Sequence, residues 1–403
     1  MVMLREQCQR LSLFNRRTAY WCALLFILAN TLFSDLAAAQ PSCFVNFGKQ
    51  QCDAFELRPG VIIKTMLSKA QLQQQLDRPV TQLAMLGGAG LYLVASDRPL
   101  ADAEQFSRIP EIEYAQPDVV QPRVLHTTDF EPDDITAMLP EGLAALGGEG
   151  ISIAIIDDGF NLDHEDLRGV PVGFMYDADV KQIGAEPKAG IDQHGTMVAG
   201  VIAAQHNEKG INGVAPKAKL IPIRQVSTRT SDTVLSFTVA DLAGADIINC
   251  SWNSRFLMQP VYDVIQSLVL RGRNGKGTAI IFAAGNEGRE LFPLSKEAAI
   301  KEVITVGSLE KSSVATYSNY GALVDLFVPG HLRTTYRQGY GWFNGTSASA
   351  ALASGVAALV LARNPDMALG ELRSSLIQTT AELWPMPQSQ SLILSELSGV
   401  PAL

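Results

Sequence analysis

Short apolar runs recur through the second half of the chain: ISIAII (151–156), AKLIPIRQV (218–226), ADIINCSW (245–252), TAIIFAAG (278–285) and EVITVGS (302–308). Their lengths suit strands, and their lack of polar alternation suits strands covered on both faces. Segments of helical period lie between them, among them HGTMVAGVIAAQ (194–205) and QPVYDVIQSLVLRG (259–272). A longer one, GTSASAALASGVAALVLA (345–362), is apolar nearly all round, as a buried helix should be. Strand and helix alternating in this way predict an α/β domain with a doubly wound, mainly parallel sheet. Ligands of such sheets gather at the carboxyl ends of the strands.

Residues 53–122 follow a different pattern. GVIIKTM reads as a strand, SKAQLQQQLD as a helix, and LAMLGGAGLYLVAS as two strands around a Gly-rich turn. LADAEQFSRIP then reads as a second helix and EIEYAQPDVV as a last strand. The order β-α-β-β-α-β predicts a small α+β module of ferredoxin-like type. HTTDFEPDD (126–134) is polar and acidic, as a linker or processing region would be. The large domain is therefore expected over 140–383, the small one over 40–125, the linker over 126–139 and a tail over 384–403.

The first residues read as an address. Arg5, Arg10, Arg16 and Arg17 precede the apolar stretch AYWCALLFILANTLF, and LAAAQ follows. That is the order of a secretory signal peptide over 1–39, cleaved near Ala39, and it predicts a secreted or periplasmic protein. The apolar stretch is shorter than the about 20 residues a bilayer span needs, so no stable span is expected after cleavage. A net charge of −9 over 403 residues excludes the basic footprint of a nucleic-acid-binding protein. Of five cysteines, Cys8 and Cys22 lie in the leader. Cys43 and Cys52 flank a short polar loop and can pair after export, whereas Cys250 sits in an apolar strand as a packing residue.

Polar residues stand where the buried runs leave the core. ISIAII ends in Asp157-Asp158-Gly159, ADIINC in Ser251-Trp252, and TAIIFAAG in Gly285-Asn286. His194 opens one buried helix and Ser347 another. Alone, Ser347 reads as a helix cap. Together, Asp157, His194, Ser347 and Asn286 supply every part that nucleophilic acyl transfer needs: a hydroxyl, a base of near-neutral pKa, an acid to orient it, and an amide donor for an oxyanion.

In this order and these contexts the quartet resembles the subtilisin-like serine proteases. IAIIDDGFNLDHEDL is similar to that family's Asp motif, HGTMVAG to its His motif, FAAGNEG to its oxyanion segment and NGTSASAALASGV to its Ser motif. GINGVAPKAKL and VITVGSLEKSSVATYSNYGALVDLFVPG resemble two further segments, and the likeness spans about 140–380. It implies that Ser347 is the nucleophile, His194 the base and acid, Asp157 its partner, and Asn286 the oxyanion donor helped by the Ser347 backbone N–H. No cofactor is then needed for catalysis. Ser251, Trp252 and Asn253 would bind an extended protein or peptide substrate, with Gly285 beside them. Asn253 stands where the family usually has Gly, and the Ser motif lacks the usual Met, Pro and His. Asp158 resembles the second Asp of kexin/furin-type convertases, which helps bind a basic side chain. A structural calcium site is implied at Asp166 and Asn207, with backbone carbonyls near Gln205, Lys209 and Ile211; hard oxygen ligands suit that ion. The small module resembles the family's propeptides, so it would act as an intramolecular inhibitor and the protein would be made as a zymogen. A catalytically silent peptide- or partner-binding protein on the same fold is the alternative.

Overall fold

The computed structural model describes residues 43–51, 55–121, 123–124, 139–188 and 190–386. The leader, residues 125–138 and the tail beyond 386 lie outside the described residues, as does Cys52. Cys43 is disulfide-bonded.

A short strand, β1 (Phe44–Asn46), precedes the N-terminal module. The module then runs β2 (Glu56–Thr65), α1 (Lys69–Leu76), β3 (Val80–Leu86), β4 (Ala89–Val94), α2 (Pro99–Phe106) and β5 (Ile112–Val120). Its antiparallel sheet has the order β3-β4-β2-β5, the arrangement of a ferredoxin-like fold. Ser68 caps α1, accepting from the Gln71 N–H while the Gln71 side chain accepts from the Ser68 N–H. Val61, Ile63, Leu72, Val94 and Phe106 form this module's own apolar core. A two-residue strand, β6 (Arg123–Val124), follows.

The large domain holds a nine-stranded sheet. Its parallel centre is β7 (Ser152–Asp157), β8 (Lys219–Arg224), β9 (Ile247–Cys250), β11 (Ala279–Ala283), β12 (Ile304–Glu310) and β13 (Leu326–Pro329), with the two-residue β10 (Asn253–Ser254) just after β9. Spatial order is β8-β7-β9-β11-β12-β13. Ile153 stands opposite Leu220 on one side and Ile247 on the other. The chain winds outward in opposite directions from β7 and β9, so the topological switch point lies between their carboxyl ends. Asp157 ends β7 and Ser251 follows β9. Continuous apolar runs are what strands buried on both faces require, and Ile153 to Ile156 are fully buried.

Four helices of this domain matter for the site: α3 (His194–Ala203), α4 (Thr230–Leu242), α5 (Gln259–Gly275) and α6 (Thr346–Arg363); α7 (Leu369–Leu383) closes the described chain. Two strands, β14 (His331–Tyr336) and β15 (Gly339–Asn344), form a hairpin leading into α6. By length and composition α6 could cross a membrane, but it is buried inside the domain, which explains its lack of a polar face. Small residues let backbones close in. A Cβ at Gly200 of α3 would come within 2.3 Å of both the Thr334 and Thr335 hydroxyls. Those hydroxyls donate to Met197 O and Thr196 O, each at 2.7 Å, and so fasten the hairpin to the helix that carries His194.

Candidate active site

Asp157 and His194 meet at the end of β7. The imidazole Nδ1 donates to the Asp157 carboxylate, with Oδ1 at 2.8 Å and Oδ2 at 2.9 Å. Both side chains are buried. Asp157 Oδ1 also accepts from the Asp158 N–H at 2.8 Å, which fixes the carboxylate. Phe343 meets the imidazole edge-on, with ring centroids 5.1 Å apart. A carboxylate on Nδ1 selects the tautomer whose Nε2 accepts a proton.

The neighbouring carboxylate does different work. Asp158 Oδ2 accepts from the His194 N–H at 3.1 Å and Oδ1 from the Gly195 N–H at 2.8 Å, so it closes the first turn of α3. Burial first, and then the charge of Asp157, push its pKa up to about 7. The carboxylate expected to meet a basic substrate side chain is thus engaged at a helix start.

Ser347 sits in the first turn of α6. Its Oγ donates to Ser251 O at 2.6 Å, and Ser251 Oγ donates to Ser347 O at 2.9 Å. Asn286 is clamped to the same turn: its Oδ1 accepts from the Thr346 N–H at 2.9 Å and the Thr346 hydroxyl at 2.8 Å. The Gly285 N–H in turn donates to Thr346 Oγ1 at 3.1 Å. With its oxygen spent in this way, Asn286 has its amide N–H groups left to offer. Gly345 makes the approach possible. Its φ is +89°, and a Cβ there would lie 2.7 Å from Asn286 Nδ2. A narrow cleft, lined by Asn253, Ala283, Gly285, Asn286, Glu287 and Ser347 among others, opens at this point.

The two halves are tied through the sheet edge. β7 and β9 are paired neighbours, and the Trp252 indole N–H donates to Ile156 O at 2.7 Å. Trp252 lines the cleft, yet its ring packs edge-on against Phe282 in the core. Asn253 and Ser254 pair antiparallel with Val124 and Arg123, so an extended stretch of the chain lies along β10. Val120, just before that stretch, forms an antiparallel bridge with Arg229. The groove thus already holds a strand by backbone hydrogen bonds, the mode expected for an extended peptide.

Two clusters were not legible in the sequence. Arg224, buried at the end of β8, donates to Asp177 at 3.2 Å, Asp179 at 2.9 Å and Asp192 at 2.9 Å. It thereby anchors the segment two residues ahead of His194. Near Asn286, the Glu287 carboxylate accepts from Lys296 Nζ at 2.8 Å and from the Asn319 amide. Apart from Lys296, their partners come from segments far off in sequence, and only the fold shows the pairing.

The residues expected at a cation loop, Asp166 and Asn207 with Gln205, Lys209 and Ile211, lie close together and hydrogen-bond to one another. Asp166 is buried, and its Oδ2 accepts from the Ile211 N–H at 2.9 Å and its Oδ1 from Asn207 Nδ2 at 3.2 Å. Asn207 Oδ1 accepts from the Lys209 N–H at 3.0 Å, and Asp166 O from the Gln205 N–H at 2.8 Å. A carboxylate and an amide oxygen are hard ligands of the kind calcium prefers, but Asn207 here turns its Nδ2 to Asp166 and its Oδ1 to the Lys209 N–H. Among the described residues no three His, Cys, Asp or Glu side chains group to hold a metal, so backbone oxygens would have to complete the set. His164 and His206 turn instead to Gly339 O and Gly213 O.

Comparison with known proteins places this geometry. A calcium-dependent protease of Trichormus variabilis is 33% identical over 285 residues, covering 59% of this chain and 43% of that protein. A dibasic-processing endoprotease of Schizosaccharomyces pombe is 32% identical over 249 residues, covering 57% of this chain and 35% of that one. The chain thus spans less than half the length of these relatives. The crystal structure of fervidolysin from Fervidobacterium pennivorans, described as a keratinolytic enzyme related to subtilisin, superposes with a TM-score of 0.67 at 20% identity. That match covers 80% of this chain and 57% of the other, a likeness of fold. The sequence profile of the subtilase family matches residues 148–399, and with the strand order and the Asp157–His194 pair it shows that the chain belongs to the subtilase family.

Proposed function

We propose that the protein is a serine endopeptidase that hydrolyses peptide bonds through an acyl-enzyme, and that it is made as an exported zymogen. The observation that carries this reading is the Asp157 carboxylate on His194 Nδ1, at the sheet edge that also holds Ser347 and Asn286. Ser347 Oγ attacks the scissile carbonyl and passes its proton to His194 Nε2. Asp157 stabilises the imidazolium that forms. The oxyanion accepts from Asn286 Nδ2 and the Ser347 N–H, a contribution typically worth about 10²–10³ in kcat per donor. His194 then returns the proton to the leaving amine, and water hydrolyses the ester by the same route. Ser251, Asn253 and Gly285 would hold the substrate strand.

The N-terminal module is read as the chain's own inhibitor. Support comes from its strand β6, which lies on β10 where a substrate would lie. A disulfide at Cys43 and the signal-like leader support an oxidising, secreted or periplasmic destination. Asp166 and Asn207, with carbonyls of Gln205, Lys209 and Ile211, would hold a structural calcium ion that stiffens the loop after α3 and takes no part in the reaction.

Intact mass over time on the full chain, beside its Ser347→Ala variant, tests the reading. A cut within 122–138 that appears only when Ser347 is present, and fluorophosphonate labelling lost in the variant, are the expected results. A folded, processed protein that resists the probe would instead be a silent peptide-binding subtilase.

A further inference from the structure

Asn253, which lines the cleft beside Ser347, carries a polar atom that neither the reaction nor the fold uses. Asn253 is 5% exposed, and its Nδ2 donates to Ala283 O at 2.7 Å. A carbonyl oxygen can only accept, so this contact fixes which end of the amide is nitrogen. The other end, Oδ1, is buried with no hydrogen-bond partner. Buried acceptors are nearly always satisfied, and an exception calls for a reason. Asn253 also belongs to the strand that grips an extended chain, two residues from Ser251, whose carbonyl touches Ser347 Oγ.

The charged side chain lining the cleft, Glu287, is already matched. Glu287 is held by Lys296 Nζ and the Asn319 amide, and these contacts keep its carboxyl below the usual range although burial alone would raise it. The negative and positive charges cancel, which leaves the cleft no net charge to offer a ligand. Apart from the Asn286 amide that the reaction uses, the open acceptor among the lining side chains is the neutral Asn253 Oδ1.

In the reaction geometry proposed above, with the peptide carbonyl between Ser347 and Asn286, the side chain just before the cleaved bond would face this cleft, which both residues line. We infer that Asn253 is a specificity-determining residue whose Oδ1 selects a short, uncharged side chain with an O–H or N–H donor at that position: Ser, Thr, Asn or Gln. This rests on the endopeptidase reading above. A carboxylate there would set acceptor against acceptor. A cation would be buried beside a carboxylate already neutralised, and burying a charge without a partner is costly. An apolar isostere would leave Oδ1 unsatisfied, whereas the donor satisfies it. That asymmetry makes sites built to bond a donor reject analogues that lack it.

The test is kcat/KM of the full-length, self-processed protein on acetyl-Ala-Ala-Ala-X-p-nitroanilides with X as Thr, Val, Asn or Leu. Thr over Val and Asn over Leu should each exceed roughly tenfold. In Asn253→Ala both ratios should fall towards one. Fluorophosphonate labelling of each protein reports whether its Ser347 site is assembled. Wild-type ratios at or below one overturn the inference, as do ratios that survive in a labelled Asn253→Ala. A wild type that labels but turns over none of the four overturns the specificity alone. Absence of labelling in the wild type overturns the endopeptidase reading, and the specificity with it.

Discussion

Asp158 lies one residue from Asp157, and the two carboxylates share a buried corner with His194. Asp157 holds the imidazole, while Asp158 holds the backbone of the turn that presents it. Because burial and the Asp157 charge raise the Asp158 pKa to about 7 from an ordinary 3.8, Asp158 ionises near neutrality. A folded-state pKa above the unfolded one means the contribution to stability is complete below 3.8 and is lost as pH rises through about 7. Ionised Asp158 also adds negative charge beside the imidazole and favours its protonated form. In Asp158→Asn, melting temperature should therefore decline less between pH 4 and pH 7. The acidic limb of the kcat/KM profile should move to lower pH. A pH series of thermal melts together with peptide hydrolysis reads both; an acidic limb that stays in place would show that the Asp158 charge does not reach the group that sets it.

At the scale of elements, the first turn of α6 is joined to the loop after β11 through one residue. Thr346 receives from Gly285, donates to Asn286 from both its N–H and its hydroxyl, and follows a glycine in a left-handed conformation. Gly345→Ala would combine an unfavourable φ with a Cβ pressed on Asn286 Nδ2, a cost of about 1–3 kcal/mol. The expected outcome is a lower melting temperature and slowed fluorophosphonate labelling, with the circular dichroism of the fold retained; labelling at the wild-type rate would mean that the turn has room to adjust. This turn also marks what the sequence could disclose. The run 345–362 is apolar on every side, so its burial was legible, and so were the strands that end at Asp157 and Asn286. β6 and β10 were not, because two-residue strands carry no periodicity and exist only through their pairing with each other. Arg224 reads as an ordinary strand-end charge until the fold brings Asp177, Asp179 and Asp192 around it. Trp252 follows the strand expected to bind substrate, but its indole N–H is taken by Ile156, a contact that needs β7 and β9 side by side. Asn253 stood out as a departure from Gly, yet its bond to Ala283 O depends on how two strands end.

At the scale of the molecule, the N-terminal module's sheet and the strand β1 before it sit on the starts of two helices. Asp118 of β5 accepts from the Ser231 N–H at 3.0 Å and the Ser231 hydroxyl at 2.7 Å at the head of α4. Asn46 of β1 accepts from the Gln259 N–H at 3.1 Å at the head of α5. Between them Asp263 takes Tyr114 OH at 2.9 Å and Lys64 Nζ at 3.0 Å. Helix starts favour negative charge, so an acid at such a place should fasten the module. Asp118 is nonetheless so deeply buried that desolvation outweighs the Ser231 bonds, and its pKa rises to about 6. The sign follows from linkage. A docked-state value above the ordinary 3.8 makes docking strongest below pH 3.8 and weakens it as pH climbs through about 6, beyond which no further change comes from this group. Raising the pH would then loosen the module from the groove that β6 occupies. In the Ser347→Ala background, which keeps module and domain in one chain, hydrogen exchange of the β6–β10 amides should quicken between pH 4 and pH 6 beyond the intrinsic rise with pH. Asp118→Asn cannot ionise and keeps one acceptor for Ser231, so its exchange, corrected in the same way, should stay nearly level over that interval. Equal pH dependence in the two proteins would assign the loosening to the other carboxylates of the seat, Asp263 first among them.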